Sequence, residues 1–315
     1  MTEVSRPSPG GGRRRMSGLA WKRARWGYVF IAPWIIGFFL FTLIPMIATL
    51  VFTFTNINLA NADSIEFVGL KNYQLLLTYT QTHASLLVTF KFAIIALPVF
   101  MLLPFCVAML VNSRHLMGPS AFRVLFFLPY VVPFVAGVLI WQQMLSNAGW
   151  VNDFLRFIGI EHPPDWLQDP TLIYPGLVIM GVWGIGAGII VYLAGLKGVP
   201  SDLYDAASID GAGWWGTLRN ITIPMLSPVF LYTLILGIVE VLQYFLVPLV
   251  LKGGTGEPGG STLFYNLYLY KTFFTFQNMS YGATLAWLLF GITLAITAVI
   301  FRLSKRWVYY AGDVR

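Results

Sequence analysis

The side chains of this chain that could do chemistry fall into two small groups. Asp202, Asp205 and Asp210 lie within nine residues of one another, between two long apolar runs. Glu240 lies in the middle of the later run, with an amide and a phenol three and four residues further on. Clustered carboxylates could bind a metal or a basic partner, whereas an acid, an amide and a phenol could hydrogen-bond a polar solute.

Other reactive residue types are sparse. His83, His115 and His162 are far apart and Cys106 is the only cysteine, so neither an HExxH zinc site nor a disulfide framework is predicted. The stretch GGTGEPGGST, residues 253–262, lacks the lysine of the phosphate-binding GxxxxGK[ST] loop. We therefore expect a chain without catalytic residues, a resident metal or a cofactor of its own.

The composition indicates where these groups must work. Hydrophobic residues make up 57% of the 315 residues and charged residues only 10%, whereas soluble chains carry about a quarter charged residues. The chain is therefore predicted to lie in a bilayer. Its net charge of +7 comes largely from basic residues near the amino terminus and beside apolar runs, which indicates membrane topology rather than nucleic-acid binding.

Six apolar runs are each long enough to cross about 30 Å of hydrocarbon as a helix. They cover residues 27–53, 86–111, 122–144, 173–196, 229–251 and 283–303. Because they are uniformly apolar rather than alternating, they do not read as barrel strands. We predict an all-α integral membrane protein with a basic, disordered tail (1–25), a six-helix transmembrane domain (26–303) and a second tail (304–315).

The distribution of Lys and Arg predicts the orientation of these helices. If the amino terminus is cytoplasmic, the basic residues of both tails and of the connections after the second and fourth runs fall inside. The longer connections outside then carry most of the acidic residues. Both termini and the segment 201–224 are therefore predicted to be cytoplasmic.

Segment 201–224 is a polar island between the fourth and fifth runs. Ser201 could cap the free backbone donors of a short helix that Gly211 would end. A helix of two or three turns is marginal alone, so it must pack against something. Its small residues, with acids at the rim, suit close contact with another protein. The other interpretation is a helix on the lipid headgroups, anchored by Trp214 and Trp215.

The stretch DAASIDGAGWWGTLRNITIPMLSP, residues 205–228, resembles the signature of permease subunits of binding-protein-dependent ABC importers, which reads EAA, then DGA, then an I-x-LP ending. Asp205 replaces the usual Glu and Ile223 the usual Leu, and both keep the chemical type. The stretches FVGLKNY, FRVLFFLPYVVPFVAGVLIW and GWVNDFL are similar to permeases of the maltose and glycerol-phosphate type. The matching signature positions are Ala206, Ala207, Asp210, Gly211, Ala212, Ile221 and Pro224.

This resemblance implies a type I ABC importer permease fold and a role in ATP-driven uptake of a sugar or sugar-like solute. The island would be a coupling helix that docks on a separate ATPase, which would bind ATP and Mg. The implied partners are a second permease subunit, two ATPase subunits and an external solute-binding protein, at the inner membrane of a bacterial-type cell. The docking residues would be Asp205, Ala206, Ala207, Asp210, Gly211 and Ala212.

Glu240, Gln243 and Tyr244 have the spacing of one helical face in the fifth run. A carboxylate at mid-membrane depth costs about 2.5–3.5 kcal/mol, so it should face protein or a wet cavity. These residues would either line the translocation path or hold the bundle together through an interhelical hydrogen bond. Before the sixth run, a further group would form an outer vestibule or an aromatic belt: Tyr265, Asn266, Tyr268 and Tyr270.

Two other classes of function remain as alternatives. In a self-powered secondary transporter, Glu240 would be the coupling-ion site, and paired broken helices would be expected. In an integral membrane enzyme, Asp202, Asp205 and Asp210 would act at one membrane face. Transport by the chain alone would favour the first class, and a metal-dependent activity lost in Asp210→Ala would favour the second.

Overall fold

This computed structural model describes residues 18–61, 65–113, 116 and 118–309. The regular secondary structure of these residues is helical. Most of the predicted amino-terminal tail, residues 1–17, lies outside the described residues. The first helix begins at Gly18, so residues 18–25 are helical rather than part of a disordered tail. Leu, Ala, Lys and Arg dominate this stretch and have high helix propensity, which explains the earlier start.

The chain forms two compact units, Met1–Val51 and Phe52–Arg315. In the first unit, α1 (Gly18–Phe38) continues through a π-helical turn (Phe39–Leu43) into α2 (Ile44–Phe52). Residues Ala24–Phe52 together form a 29-residue apolar helix that is long enough to cross a membrane. The first predicted run is therefore confirmed as helical.

The second unit begins with short helices around one long helix. Its earlier elements are α3 (Lys71–Thr78), α4 (Thr80–Val111), α5 (Pro119–Val131), α6 (Phe134–Met144), α7 (Trp150–Phe157), α8 (Ile173–Val182) and α9 (Gly186–Lys197). Its later elements are α10 (Ser201–Ile209), α11 (Trp214–Thr217), α12 (Ile223–Met225), α13 (Ser227–Leu242), α14 (Leu246–Lys252), α15 (Tyr265–Tyr270) and α16 (Met279–Ser304).

Helix α4 is the centre of the second unit. Phe92 in its first half is fully buried in a core shared with α8. Phe105 and Ala108 in its second half pack with α9. The pair α8 and α9 therefore follows α4 in the same direction, from the end where α4 begins to the end where it finishes. Helix α13 also lies against α4, and α16 packs against α13.

Three of the six predicted spans are interrupted, which corrects the expectation of six continuous helices. The third is divided into α5 and α6 before Pro133, because a proline lacks the N–H that would continue the helix. The fourth is bent by 58° between α8 and α9, and the fifth breaks between α13 and α14. If the fifth span is counted across its break, four helices in the described residues are long and apolar enough to cross a membrane. They are Ala24–Phe52, Thr80–Val111, Ser227–Lys252 and Met279–Ser304.

Close packing along the bent span depends on glycine. A side chain at Gly186 would collide with the backbone of Phe126 in α5. A side chain at Gly188 would press on the ring of Pro104 in α4. Because small residues let helices approach closely, α9 can contact both neighbours at once.

The segment that follows α16 is hydrogen-bonded to the start of α13. The backbone N–H of Tyr309 donates to Ser227 Oγ at 2.8 Å, and Ser227 Oγ donates to the carbonyl oxygen of Pro224 at 2.6 Å. Ser227 is buried, so both bonds satisfy a hydroxyl that water does not reach. The last described residues are therefore fixed beside the end of the polar island.

Candidate functional site

The polar island forms a short helix at the end of the bundle where α4 finishes. Helix α10 follows α9, and Pro200 occupies the N-cap position with φ −58° and ψ 132°. The predicted capping by Ser201 is wrong, because its hydroxyl lies 3.4 Å from Asp202 Oδ1 and caps no backbone N–H. Asp202 lies in the first turn, where a negative charge favours the positive end of the helix dipole.

Helix α10 ends in a Schellman motif, and the backbone geometry of this motif explains why glycine stands at the centre of the sequence DGA, residues 210–212. Asp210 is the C-cap, and Gly211 has φ +73°, a left-handed conformation that glycine adopts without strain. The N–H of Gly211 donates to Ser208 O at 3.2 Å, and the N–H of Ala212 donates to Ala207 O at 2.9 Å. The predicted end of the helix at Gly211 is confirmed.

The two faces of α10 have different surroundings. On the inner face, Ala207 is only 9% exposed, and Tyr204 Oη lies 3.3 Å from Thr222 Oγ1. On the opposite face Ile209 is 87% exposed. We call this opposite face the docking face; its residues, all exposed, are Asp202, Asp205, Ala206 and Ile209. An apolar centre with a charged rim is the usual anatomy of a protein–protein interface.

The remainder of the island packs against the bundle after its two tryptophans. Leu218 packs against the core formed by α4 and α9. Before it, Trp214 and Trp215 are exposed and stack edge to face, with ring centroids 4.4 Å apart. The island is therefore held at its base while its two tryptophans and the docking face remain uncovered.

The acidic residues of the island are not arranged as a metal site. Among the described residues, no group of three or more His, Cys, Asp or Glu side chains could hold a metal ion. Asp202 and Asp205 share the docking face, whereas Asp210 caps the helix end. Separate exposed carboxylates of this kind are suited to steering and orienting a partner with basic groups.

Glu240 lies on an exposed stripe of α13. Tyr232, Leu236, Glu240 and Gln243 recur at helical spacing and are all exposed, whereas the opposite side of the helix is buried. We call these four residues the α13 stripe. The Glu240 carboxylate makes no hydrogen bond or ion pair within the described chain. An interhelical hydrogen bond to another described residue therefore does not explain this mid-span acid.

Tyr244 does not belong to the α13 stripe. Helix α13 ends at Leu242, and the backbone turns at Phe245, which has φ −153°. The Tyr244 ring packs in the core against Phe92 and Phe264, with centroid distances of 4.7 and 5.1 Å. The prediction of one face shared by all three polar residues is therefore wrong for Tyr244, because the helical period stops before it.

Of the four residues predicted to form a vestibule or a belt, Tyr265 and Tyr268 are core residues, whereas Asn266 and Tyr270 are only partly buried. Tyr265 is fully buried; its hydroxyl donates to Leu285 O at 2.8 Å, and its N–H donates to Thr89 Oγ1 at 2.9 Å. Tyr268 is also buried. Hydrogen bonding to backbone lets a phenol occupy the interior, which composition alone does not reveal.

Two exposed residues of these surfaces, Ile209 and Tyr232, were not predicted from the sequence. Ile209 stands three and four residues after Ala206 and Asp205, so helical spacing places it on their face. Tyr232 stands eight residues before Glu240, on the same side of α13. In both cases the spacing was available, but an apolar or aromatic residue near a membrane run gave no reason to single it out.

Comparisons with known proteins point to one family. Residues 84–309 match the family described as the binding-protein-dependent transport system inner membrane component. The chain is 34% identical over 286 residues to the probable ABC transporter permease protein YesP of Bacillus subtilis, covering 90% of this chain and 92% of that protein. It is 29% identical to the trehalose/maltose transport system permease protein MalF of Thermococcus litoralis, covering 92% and 97%.

A solved structure shows the same fold. The crystal structure of a bacterial ABC transporter involved in alginate import contains a chain that matches with a TM-score of 0.78 at 23% identity, covering 90% of this chain and 96% of that one. The predicted type I permease fold is confirmed, and so is the resemblance to importer permeases. The chain belongs to the family of inner-membrane components of binding-protein-dependent transport systems.

Proposed function

We propose that this chain is one membrane subunit of an ATP-driven importer for a sugar, oligosaccharide or sugar-like solute. Family membership supports transport, and the names of relatives support the cargo: MalF of Thermococcus litoralis, and the lactose permease LacF of Rhizobium radiobacter, which is 33% identical over 266 residues. The LacF match covers 84% of this chain and 88% of that protein. The chain itself catalyses no reaction, and partner subunits bind ATP and Mg.

The working assembly would contain a second permease, two cytoplasmic ATPase subunits and an external solute-binding protein. The termini and the docking face would then lie in the cytoplasm. A bacterial alginate ABC transporter of similar fold has been solved in complex with an alginate pentasaccharide-bound periplasmic protein, which supports the same kind of partner here. Lipid surrounds the apolar helices, and no nucleic acid is involved.

The observation that carries the coupling proposal is the docking face of α10. Asp205 and Ala206 present a carboxylate and a methyl group beside the exposed Ile209, at the end of the bundle. Ala207 and Gly211, which were predicted to contact the ATPase, act here by positioning: the first packs inward and the second ends the helix. The exposed Asp210 and Ala212, two of the predicted docking residues, would complete the rim.

A charge placed at the centre of the docking face tests this coupling. Ile209→Asp should weaken binding of the ATPase by about 2 kcal/mol or more, roughly 30-fold, because it buries a charge in the interface. The measurements are ATPase co-purification with the permease and ATP-dependent uptake in proteoliposomes. Ser208→Asp is the matched control, because Ser208 is also exposed but lies about 100° away around the helix.

Two outcomes would contradict the coupling proposal. If Ile209→Asp and Ser208→Asp behave alike, the docking face is not the contact surface. If the purified chain transports its solute without any ATPase, the chain is a secondary transporter. The interrupted spans are compatible with that second class, in which Glu240 would bind the coupling ion.

The α13 stripe is the part of the described chain that we assign to the translocation path. Glu240 and Gln243 offer hydrogen-bonding groups on a surface that faces away from the subunit core, and Tyr232 adds an aromatic ring. A carboxylate at this depth requires a polar neighbour, and a sugar in a wet path between two permease subunits supplies one. Tyr244, whose ring packs against Phe92 in the core, is left out of this proposed path.

Substitution of the carboxylate separates a path role from an assembly role. Glu240→Gln keeps the size and one hydrogen-bonding oxygen, and Glu240→Ala removes both. We expect uptake to fall about tenfold or more in Glu240→Ala while the complex still assembles, with Glu240→Gln in between. Loss of the second permease subunit from the purified complex in Glu240→Ala would instead show that Glu240 joins the two subunits.

A further inference from the structure

The surface of α7 carries an inference that is independent of the coupling and cargo proposals. Helix α7 lies before α8, at the end of the bundle where α4 begins, and therefore opposite α10. Trp150, Phe154 and Phe157 are exposed along it, with Trp150 79% and Phe157 87% exposed. Ile158, immediately after the helix, continues this apolar surface.

Helix α7 is firmly attached, so its exposed face has a fixed direction. Asn152 is 1% exposed; its Oδ1 accepts from Trp166 Nε1 at 2.8 Å, and its Nδ2 donates to Pro164 O at 3.2 Å. Val151 packs against the core around α4 and α8. The polar and apolar contacts of these two residues define the inner arc of the helix.

Around the axis of α7 the residues divide into three arcs. At about 100° per residue, the inner arc of Val151, Asn152 and Leu155 is centred roughly 140° away from the exposed apolar arc of Trp150, Phe154 and Phe157. Asp153 and Arg156 form a third, charged arc, which fills the wider gap between the inner arc and the apolar arc. Their side chains are joined by a salt bridge of 2.8 Å, and Arg156 Nη2 also donates to Asn147 O at 2.8 Å.

Three arcs of different polarity correspond to three different surroundings. A helix at the rim of a membrane protein contacts the protein, lipid and water, in three directions. We propose that α7 lies in the membrane interface and that Trp150, Phe154, Phe157 and Ile158 insert among the acyl chains next to the headgroups.

The size of the apolar arc favours lipid over a protein partner. A stable protein interface buries about 800 Å² on each side. A completely covered aromatic side chain buries about 250 Å² at most. With exposures of 79%, 61% and 87% for Trp150, Phe154 and Phe157 and 56% for Ile158, the four side chains have about 700 Å² or less left to bury. The arc therefore falls short of an interface by itself, whereas membrane anchoring needs only a few such side chains.

Site-specific labelling of the full-length chain tests the insertion. In a Cys106→Ala background, Phe154→Cys and Phe157→Cys are each labelled with an environment-sensitive fluorophore, and the chain is reconstituted into phosphatidylcholine and phosphatidylglycerol vesicles. Asp153→Cys is the matched control on the charged arc of the same helix. Quenching by brominated lipid is compared with quenching by iodide present on both sides of the membrane.

We expect quenching by brominated lipid to be about threefold or more stronger at 154 and 157 than at 153, and iodide quenching to show the reverse order. Equal access of iodide to all three positions would overturn the proposal. Lipid quenching that disappears when the second permease or the solute-binding protein is added would overturn it too, because the arc would then be a protein interface. Two apolar positions keep the test decisive if one variant folds poorly.

Discussion

Helices α7 and α10 are nearly equal in length and stand at opposite ends of the same bundle, yet they are attached in opposite ways. Helix α7 is held by the buried Asn152, whose amide oxygen and nitrogen both have partners. Helix α10 has one buried residue, Ala207, and one long hydroxyl contact from Tyr204. The exposed side of α7 is aromatic, and that of α10 is small and acidic around Ile209.

This difference indicates what each helix requires from its surroundings. A lipid surface has no fixed groups, so a helix that rests on it must be oriented by its own protein. A protein partner supplies its own contacts, so a helix that docks on it needs only a defined shape at its ends, which the Schellman motif provides for α10. The attachment of α7 should therefore determine stability, and the geometry of α10 should determine coupling.

The largest effect is expected where the attachment of α7 is removed. Asn152→Ala would leave Trp166 Nε1 and Pro164 O without their partner in a buried region, at a cost of about 2–3 kcal/mol. Thermal unfolding of the purified full-length chain in detergent measures this loss. Asn220→Ala, at an exposed position of the polar island, is the control and should change the free energy of unfolding by less than about 0.5 kcal/mol.

The next effect is expected at the end of α10. Gly211→Ala places a side chain at φ +73° and should cost about 1–2 kcal/mol, all of it from the backbone because no atom lies within 4 Å of the new Cβ. Gly213→Ala is a close control: that position is equally open but has φ −71°. Faster hydrogen exchange over 205–213 and weaker ATPase binding are expected for Gly211→Ala alone.

If Gly211→Ala and Gly213→Ala have equal effects, the left-handed turn is not what shapes α10 for its partner. If Gly211→Ala lowers the thermal stability of the whole chain as much as Asn152→Ala does, the contrast between the two helices fails.

A smaller effect is expected on the charged arc of α7. Arg156→Gln removes an exposed ion pair with Asp153 and an exposed hydrogen bond to Asn147 O, and exposed ion pairs contribute less than about 1 kcal/mol. Thermal stability should change little, and the loss should be smaller still in high salt. A loss as large as that of Asn152→Ala would mean that the charged arc, rather than Asn152, attaches the helix.

The smallest effect concerns the segment that joins α7 to α8. Hydrogen bonds from the hydroxyl and N–H of Thr171 and from the N–H of Leu172 lower the pKa of Asp169 below its usual 3.8. Because the folded-state pKa is lowered, the stabilisation is present above the unfolded-state pKa and is lost as the pH falls through the folded-state value.

The thermal stability of the chain should therefore not depend on Asp169 between pH 8 and about pH 5. Below about pH 4 it should decline, and the decline should be weaker in Asp169→Asn than in the unchanged chain. An identical acid response in both would show that Asp169 is not the titrating group.

Much of the fold could be predicted because lipid imposes a simple rule. Any run of about 20 apolar residues must be helical there, and the six predicted runs are helical in the described chain. Apolar content carries no information on backbone continuity, however. The breaks before Pro133 and at Gln243–Phe245 were therefore missed, although a proline was visible in the first case.

For the candidate site, the residue types could be predicted from the sequence, but the direction of each side chain could not. The small and acidic letters around Asp205 indicate a docking segment, but only the fold shows that Ala207 turns inward while Ile209 turns outward. At α13 the helical period placed Glu240 and Gln243 on one side, and it misplaced Tyr244 because the helix ends two residues earlier. Periodicity is reliable only as far as the helix continues.

The hydrogen bond from the Tyr309 N–H to Ser227 Oγ has a practical consequence for handling the protein. A truncation that removes Tyr309 would leave the buried Ser227 hydroxyl without this donor, at the junction of the polar island and the first turn of α13. Shortened variants made for crystallisation or labelling should therefore keep Tyr309 if their uptake is to be compared with that of the unchanged chain.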